Sequence, residues 1–213
     1  MRLAYSFQGP RRGADRSVLL AHGAGSDRHA PVLVAVAAAL EDAGIPSLRF
    51  DYPYRVEGRK APDSKKKLDA ATRQAAANLT RRTDLPPERL VLGGRSMGGR
   101  YTSIIVGDED DPVPALGLLL LGYPLHAAGK PEKARADHFP RLDVPVLFAS
   151  GTRDSLAAKP DLAKAARKIP GPVEFCWLES ADHGFKPLKS SGLTPDDINA
   201  TVADAAVRWV RGL

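Results

Sequence analysis

The stretch that decides the fold is GGRSMGG, residues 93–99. It follows an apolar run at 89–92 that predicts a short buried strand, and it precedes residues 100–106, which can continue as a helix. A strand, a G-x-S-x-G turn and a helix place a serine at a tight, strained bend, with its hydroxyl exposed above the helix N-terminus. Gly94 and Gly98 are expected to lack side chains because the backbone folds back on itself there. A glycine-rich turn with an incidental serine would have the same sequence, so the rest of the chain must decide between these two interpretations.

Apolar runs typical of strands alternate along the chain with runs of helical periodicity. Strands are expected at 3–7, 17–21, 45–50, 89–93, 116–121, 144–150 and 173–178. Helices are expected at 29–43 (with Asp27 as its cap), 65–82, 100–106, 160–168 and from 194 onward, and surface loops at 52–64 and 107–114. This alternation predicts an α/β fold with a doubly wound, mostly parallel sheet of about seven strands. Residues 1–213 are expected to form a single domain, because the segment 122–142 is too short for a separate lid domain.

Composition limits the location and the partners of the chain. No apolar segment near the start predicts a signal peptide, and the longest strongly apolar run, 115–121, is far too short to span a bilayer. We therefore expect a cytoplasmic protein with no membrane partner. Cys176 is the only cysteine, which excludes an internal disulfide, and its strand-like surroundings predict a packed core thiol.

The net charge of +6 raises the question of a nucleic-acid partner. The basic residues are scattered, with one local concentration at 55–67, and no helix-turn-helix, RNA-binding aromatic motif or zinc-ligand cluster accompanies them. We expect no nucleic-acid partner and no metal, and we interpret the lysines at 65–67 as the solvated start of a helix. An attraction for anionic substrates is compatible with the same charge.

A serine hydroxyl needs an imidazole to accept its proton and a carboxylate to orient that imidazole. Asp154 follows the strand at 144–150 and His183 follows the strand at 173–178, so Ser96, Asp154 and His183 appear in the order that a hydrolase triad on a parallel sheet requires. The rival acids are less suitable. Asp51 precedes the serine and is expected to order its own loop, and Asp182 adjoins His183, where neighbouring side chains rarely face each other.

The four other histidines have weaker claims to the role of the base. His22 lies in the turn after the strand at 17–21, and His126 follows the strand at 116–121 and could line a pocket. We expect His29 and His138 to be surface residues.

Residues 21–27, AHGAGSD, have small side chains where a backbone must approach a substrate. The Ala24 amide, together with the Met97 amide after the serine, is expected to form an oxyanion hole. A flexible glycine loop that caps the next helix is the alternative, and both interpretations can hold at once.

Motifs distributed over nearly the whole chain resemble those of a known group. They lie at 22–27, 48–54, 94–100, 122–126, 129–133, 151–154 and 182–183. With them the chain resembles small α/β-hydrolases of the dienelactone-hydrolase-like type, whose bacterial members are mostly described as predicted hydrolases. The same family includes eukaryotic relatives, some of them subunits of chromatin-associated complexes. The resemblance implies the α/β-hydrolase fold and the triad Ser96, Asp154 and His183, but it implies no substrate, and it leaves open a protein that binds without catalysis.

Residues that could line a pocket follow the strand at 116–121. Tyr123, His126, Lys130 and Lys133 lie there, and Arg95, Arg100 and Lys186 could approach the same site. Each base taken alone is expected to be solvated, but together they suggest a positive rim that would favour anionic esters.

The sequence thus favours a serine hydrolase without a cofactor, acting on a small-molecule ester or thioester at an open site. The alternative is a non-catalytic binding or scaffold protein on the same fold.

Overall fold

A computed structural model describes residues 1–213. One sheet of seven strands forms the centre of the fold. In chain order the strands are β1 Ala4–Gln8, β2 Ser17–Ala21, β3 Ser47–Asp51, β4 Leu90–Arg95, β5 Gly117–Leu121, β6 Val146–Gly151 and β7 Val173–Leu178. Their order across the sheet is β1-β3-β2-β4-β5-β6-β7. Only β1 is antiparallel, and it pairs with β3 at the edge of the sheet. The predicted mostly parallel, seven-stranded α/β fold is confirmed.

Six helices cover both faces of this sheet. They are α1 Pro31–Asp42, α2 Pro53–Val56, α3 Lys65–Thr83, α4 Met97–Val106, α5 Lys159–Ala166 and α6 Pro195–Gly212. Short 3-10 helices lie at Pro87–Arg89, Phe139–Arg141 and Lys189–Ser191. None of the helices combines the length and the apolar character that crossing a membrane requires.

Alternation along the strands divides the core into two layers. In β2, Leu19 belongs to the layer under α3, α4 and α5, and the next residue, Leu20, belongs to the layer under α1 and α6. Successive strand side chains point to opposite faces, and both faces are covered by helices. This explains why the central strands are continuous apolar runs in the sequence.

Two predicted helix boundaries test the capping arguments. Thr194 forms a capping box with Asp197, whose amide donates to Thr194 Oγ1 (3.2 Å), as the predicted start of α6 implies. The predicted cap of α1 is wrong. Asp27 Oδ1 accepts from the His29 amide (2.8 Å), and α1 begins later, after Ala30, with Pro31 in its first turn. A proline there lacks an amide that would need a cap, which is the signal that the sequence contained.

Two further expectations are corrected. The segment 52–64 contains the one-turn helix α2 rather than loop alone. Cys176 is half-buried rather than enclosed in the core, because β7 is an edge strand of the sheet. Burial still raises the pKa of the Cys176 thiol.

Candidate active site

Ser96 occupies the sharp turn between β4 and α4. Its φ of 49° lies in the left-handed region, which is strained for a residue with a side chain. The turn is held by the Ser96 amide, which donates to the Leu121 carbonyl of β5 (2.8 Å). A Cβ atom on Gly94 or on Gly98 would clash with the Ala21 carbonyl oxygen of β2. The two glycines therefore let the turn pack directly against the neighbouring strand.

Three side chains from the carboxyl ends of parallel strands meet at this turn. Ser96 Oγ lies 3.0 Å from His183 Nε2, and His183 Nδ1 lies 2.8 Å and 3.0 Å from the two carboxylate oxygens of Asp154. The Asp154 side chain is fully buried, whereas 23% of the His183 side chain is exposed. The imidazole can therefore contact a substrate while the carboxylate behind it is shielded from solvent.

The two rival acids lie elsewhere. Asp51 forms an ion pair with Arg28 and also accepts the Arg28 amide (2.7 Å), so it orders the loop after β2. Asp182 accepts the amides of Gly184 (2.7 Å) and Lys186 (3.0 Å), which shapes the loop that presents His183. Neither carboxylate contacts the imidazole of His183.

The loop 22–27 lies beside Ser96 and is held by the buried His22. His22 Nε2 accepts the Tyr52 amide (3.2 Å), so Nδ1 carries the proton and donates to the Gly23 carbonyl (2.8 Å). Burial lowers the pKa of His22, which keeps the ring neutral. The Ala24 amide donates to no protein acceptor, and Met97 begins α4, where first-turn amides have no partner within the helix. Both amides are thus available to a bound oxygen.

Two cavities meet at Ser96, and Ala24 and Leu156 also line both. The first, here the His183 cavity, measures about 600 Å³ and is also lined by His183, Phe185 and Lys186. The second, here the Arg100 cavity, measures about 390 Å³ and extends past Met97. Its further lining includes Tyr101, Arg100, His126 and Arg135. Ser96 can therefore be reached from both cavities.

A family model described as alpha/beta hydrolase domain matches residues 14–211. The chain belongs to the alpha/beta hydrolase domain family. The solved structures similar to this α/β hydrolase include a serine hydrolase homologue from Coxiella burnetii (TM-score 0.75, 17% identity, 97% of this chain and 90% of that one). Est1E from Butyrivibrio proteoclasticus is also similar (TM-score 0.73, 14% identity, 99% of this chain and 93% of that one). Dienelactone hydrolase from Anabaena variabilis is similar as well (TM-score 0.72, 22% identity, 100% of this chain and 92% of that one).

At these identities the structural similarity establishes the fold alone. It confirms the resemblance to small dienelactone-hydrolase-like α/β hydrolases at that level, and the family match supports hydrolase activity.

Several side chains predicted to line the pocket of this α/β hydrolase lie elsewhere. Tyr123 is fully buried: its ring packs on Phe139 and Phe148, and its hydroxyl donates to the Arg135 carbonyl (2.5 Å). Lys130 and Lys133 are exposed and line neither cavity. Tyr123 thus supports the loop after β5 instead of contacting a ligand.

Other predicted pocket residues do line the cavities. Arg95 and Lys186 line the His183 cavity, and Arg100 and His126 line the Arg100 cavity. Arg135, which the sequence analysis did not single out, joins them. The basic loop at 130–135 was the available signal, but it does not indicate which of its bases points inward.

His138 is also placed differently from the prediction. It is buried, and its Nε2 lies 2.8 Å from Ser103 Oγ. Burial, together with the nearby Arg100 and Arg141, lowers the pKa of His138 to about 4. The hydrolase therefore contains a second Ser–His contact, which lies outside both cavities.

Proposed function

We propose that the chain is a serine hydrolase that cleaves a small carboxylic ester or thioester through an acyl-enzyme, without a cofactor. The observation that carries this proposal is the hydrogen-bonded series Ser96, His183 and Asp154, with the serine at the junction of two cavities. The alpha/beta hydrolase family supports the same general chemistry.

In the proposed mechanism each nitrogen of His183 has its own role. Asp154 accepts a hydrogen bond from Nδ1–H, which fixes the tautomer and leaves the lone pair of Nε2 directed at the hydroxyl of Ser96. Ser96 Oγ attacks the carbonyl carbon while its proton passes to Nε2. The Ala24 and Met97 amides donate to the oxygen that becomes negative, and they are oriented before the reaction begins.

His183 then acts as an acid. Its Nε2 proton passes to the leaving oxygen or sulfur, the alcohol or thiol departs, and the acyl group stays on Ser96. A water molecule gives a proton to Nε2 as its oxygen attacks the acyl carbon. Release of the carboxylic acid returns the proton to Ser96.

The loops around the site favour small or flexible substrates over long lipids. The longest loop above the sheet, 122–145, is interrupted only by the 3-10 helix Phe139–Arg141 and folds back on the body of the protein. Both cavities open to the surface, so substrate would be held by local contacts rather than enclosed under a lid.

A fluorophosphonate probe with intact-mass detection tests the proposal. Wild type should gain one adduct, which peptide mapping places on Ser96, and Ser96→Ala should gain none. The same variant should fold normally and lose ester hydrolysis by at least about 10⁴-fold. Ser103→Ala is the matched control, because Ser103 also contacts a histidine but is buried away from the cavities. It should still be labelled.

Absence of labelling, together with absence of hydrolysis over a series of short-chain esters and thioesters, would refute the proposal. That result would favour the binding or scaffold role instead. Labelling that persists in Ser96→Ala would show that a different residue is the nucleophile.

A further inference from the structure

Among the arginines that are buried or half-buried, two differ from the rest. Arg100 and Arg135 donate no side-chain hydrogen bond to the protein, and no carboxylate forms an ion pair with either. The other buried or half-buried arginines all donate from their guanidinium groups: Arg16, Arg28, Arg49, Arg55, Arg73, Arg82 and Arg95. The guanidinium groups of Arg100 and Arg135 are therefore partly buried and have no acceptor within the protein.

Both groups line the Arg100 cavity, which begins at Ser96. Arg100 lies in the first turn of α4, and its amide donates to the Ser96 carbonyl (3.0 Å). Arg135 comes from the loop after β5, and its backbone is fixed at both ends. Its amide donates to the Leu125 carbonyl (2.6 Å), and its carbonyl accepts from the Tyr123 hydroxyl (2.5 Å).

The lining of the Arg100 cavity carries more positive than negative charge. Burial and the neighbouring Arg100 both lower the pKa of Arg135, as expected for a partly buried cation beside a second one. Asp63 is the only carboxylate in the lining, and it already pairs with Arg59 (2.7 Å) and Lys67 (3.2 Å). Two guanidinium groups without protein partners bind a carboxylate or a phosphate well, because each presents parallel N–H donors.

The position of His183 decides which part of the substrate this anion belongs to. In the proposed mechanism His183 gives its proton to the leaving group, so the leaving group lies in the cavity that His183 lines. His183 does not line the Arg100 cavity, which continues past the oxyanion amide of Met97. The acyl group therefore occupies the Arg100 cavity.

We infer that Arg100 and Arg135 bind a terminal carboxylate on the acyl group, so that the substrates are monoesters or monothioesters of short dicarboxylic acids. This inference rests on the proposed serine hydrolase function. Water and the monoester yield the free dicarboxylate and the alcohol or thiol. Lys130 and Lys133, which the sequence analysis placed on the rim, have no part in this subsite because they are exposed and outside it.

The test compares two 4-nitrophenyl esters that have the same acyl chain. The 4-nitrophenyl monoester of adipic acid has a free carboxylate, and the 4-nitrophenyl methyl diester masks it. We expect kcat/KM to be at least about tenfold higher for the monoester, as loss of a charge-assisted hydrogen bond implies. In Arg100→Gln and in Arg135→Gln the ratio of the two values should fall toward one. Lys133→Gln removes the same charge at an exposed position and should keep the wild-type ratio.

A binding measurement separates this inference from the proposed function. Calorimetry on folded Ser96→Ala should detect binding of monomethyl adipate, which belongs to the proposed substrate class. Dimethyl adipate, which has no free carboxylate, should bind at least about tenfold more weakly, and this difference should be lost in the double variants with Arg100→Gln or Arg135→Gln. Equal binding of the two compounds, or equal kcat/KM for the two 4-nitrophenyl esters, would overturn the inference while leaving the hydrolase proposal intact. Selective binding of monomethyl adipate without any ester hydrolysis would overturn the hydrolase proposal and, with it, this substrate class.

Discussion

The guanidinium of Arg95 donates a hydrogen bond to the backbone carbonyl of His183, so the residue before the proposed nucleophile holds the residue that faces it. The same guanidinium lies 4.5 Å from the ring centroid of Phe185, two residues further along the loop. It also reaches the Gly122 carbonyl (3.5 Å). Burial lowers the pKa of Arg95 to about 10, so the group remains charged at neutral pH. Arg95 thereby fixes the loop that presents the imidazole.

Arg95→Met should therefore reduce kcat more strongly than it changes KM, because its main effect is to loosen the position of His183. A misplacement of about 1 Å at a reacting group can reduce the rate by about 10²-fold, so we expect a decrease of about 10- to 100-fold. Steady-state kinetics on a neutral short-chain ester would measure both constants. Arg95→Lys, which keeps the charge but not the fork of donors, should restore only part of kcat.

The control for this prediction is Arg153→Met. Arg153 is exposed and donates to the Ser180 carbonyl of the same loop (3.1 Å), three residues from His183. Its kcat should be much closer to that of wild type. Equal kcat losses in the Arg95 and Arg153 variants would show that general loosening of the loop, and not the contact with His183, is responsible.

Asp154→Asn tests the choice of the acid. An amide in place of the carboxylate cannot hold the Nδ1–H tautomer in the same way, and we expect kcat to fall by about 10³- to 10⁴-fold while the protein stays folded. Asp51→Asn is the comparison, because Asp51 pairs with Arg28 instead. It should lower the free energy of unfolding by about 2 kcal/mol and reduce kcat far less. A larger kcat loss in Asp51→Asn than in Asp154→Asn would reverse the assignment.

Local requirements explain what could be predicted from the sequence. The turn around Ser96 is recognisable because Gly94 and Gly98 must lie against a neighbouring backbone, and only glycine permits that approach. The contacts of Ser96, Asp154 and His183 follow from chain order and strand ends, because parallel strands bring their carboxyl ends to one edge of the sheet. The glycine turn and the order of the three residues could therefore be recognised from a few residues and from the topology of a parallel sheet.

Side chains in the loop after β5 could not be placed in this way. The sequence shows a basic stretch at 130–135, but the direction of each side chain depends on long-range hydrogen bonds. Arg135 faces the cavity because its backbone is tied to Leu125 and Tyr123, whereas Lys130 lies in an exposed turn. His138 is buried for a related reason: it packs against Ser103 of α4, which is distant in sequence. Polarity alone predicted a surface residue there.

Gly98→Ala should destabilise the fold by about 2–3 kcal/mol, because a Cβ at this position meets the backbone carbonyl of Ala21 and not a side chain that can move. Urea unfolding would measure the change in the free energy of unfolding. Gly212→Ala is the matched control, since a Cβ there has no atom within 4 Å. It should leave stability unchanged or raise it slightly, because alanine favours a helix. Similar losses in both variants would contradict the steric explanation.

The final prediction concerns stability at acidic pH. Unfolded histidines take up a proton near pH 6.5, but burial lowers the pKa of His22 and brings that of His138 to about 4 in the folded state. Between these values the unfolded chain binds more protons than the native one, so the free energy of unfolding must decrease as pH falls from 6.5 toward 4. His138 alone should account for about 1.5 kcal/mol between pH 6.5 and 5.

His138→Gln removes this titration while keeping a group that can bond Ser103. Its free energy of unfolding, measured in urea from pH 7.5 to 4.5, should therefore depend less steeply on pH than that of wild type. The pH dependence of the free energy of unfolding that remains in this variant should include the contribution of His22. His29→Gln serves as the control, because His29 is exposed, and should keep the wild-type slope. If His138→Gln also kept that slope, His138 would take up its proton in the folded protein near the ordinary pKa, and its burial would not oppose charging.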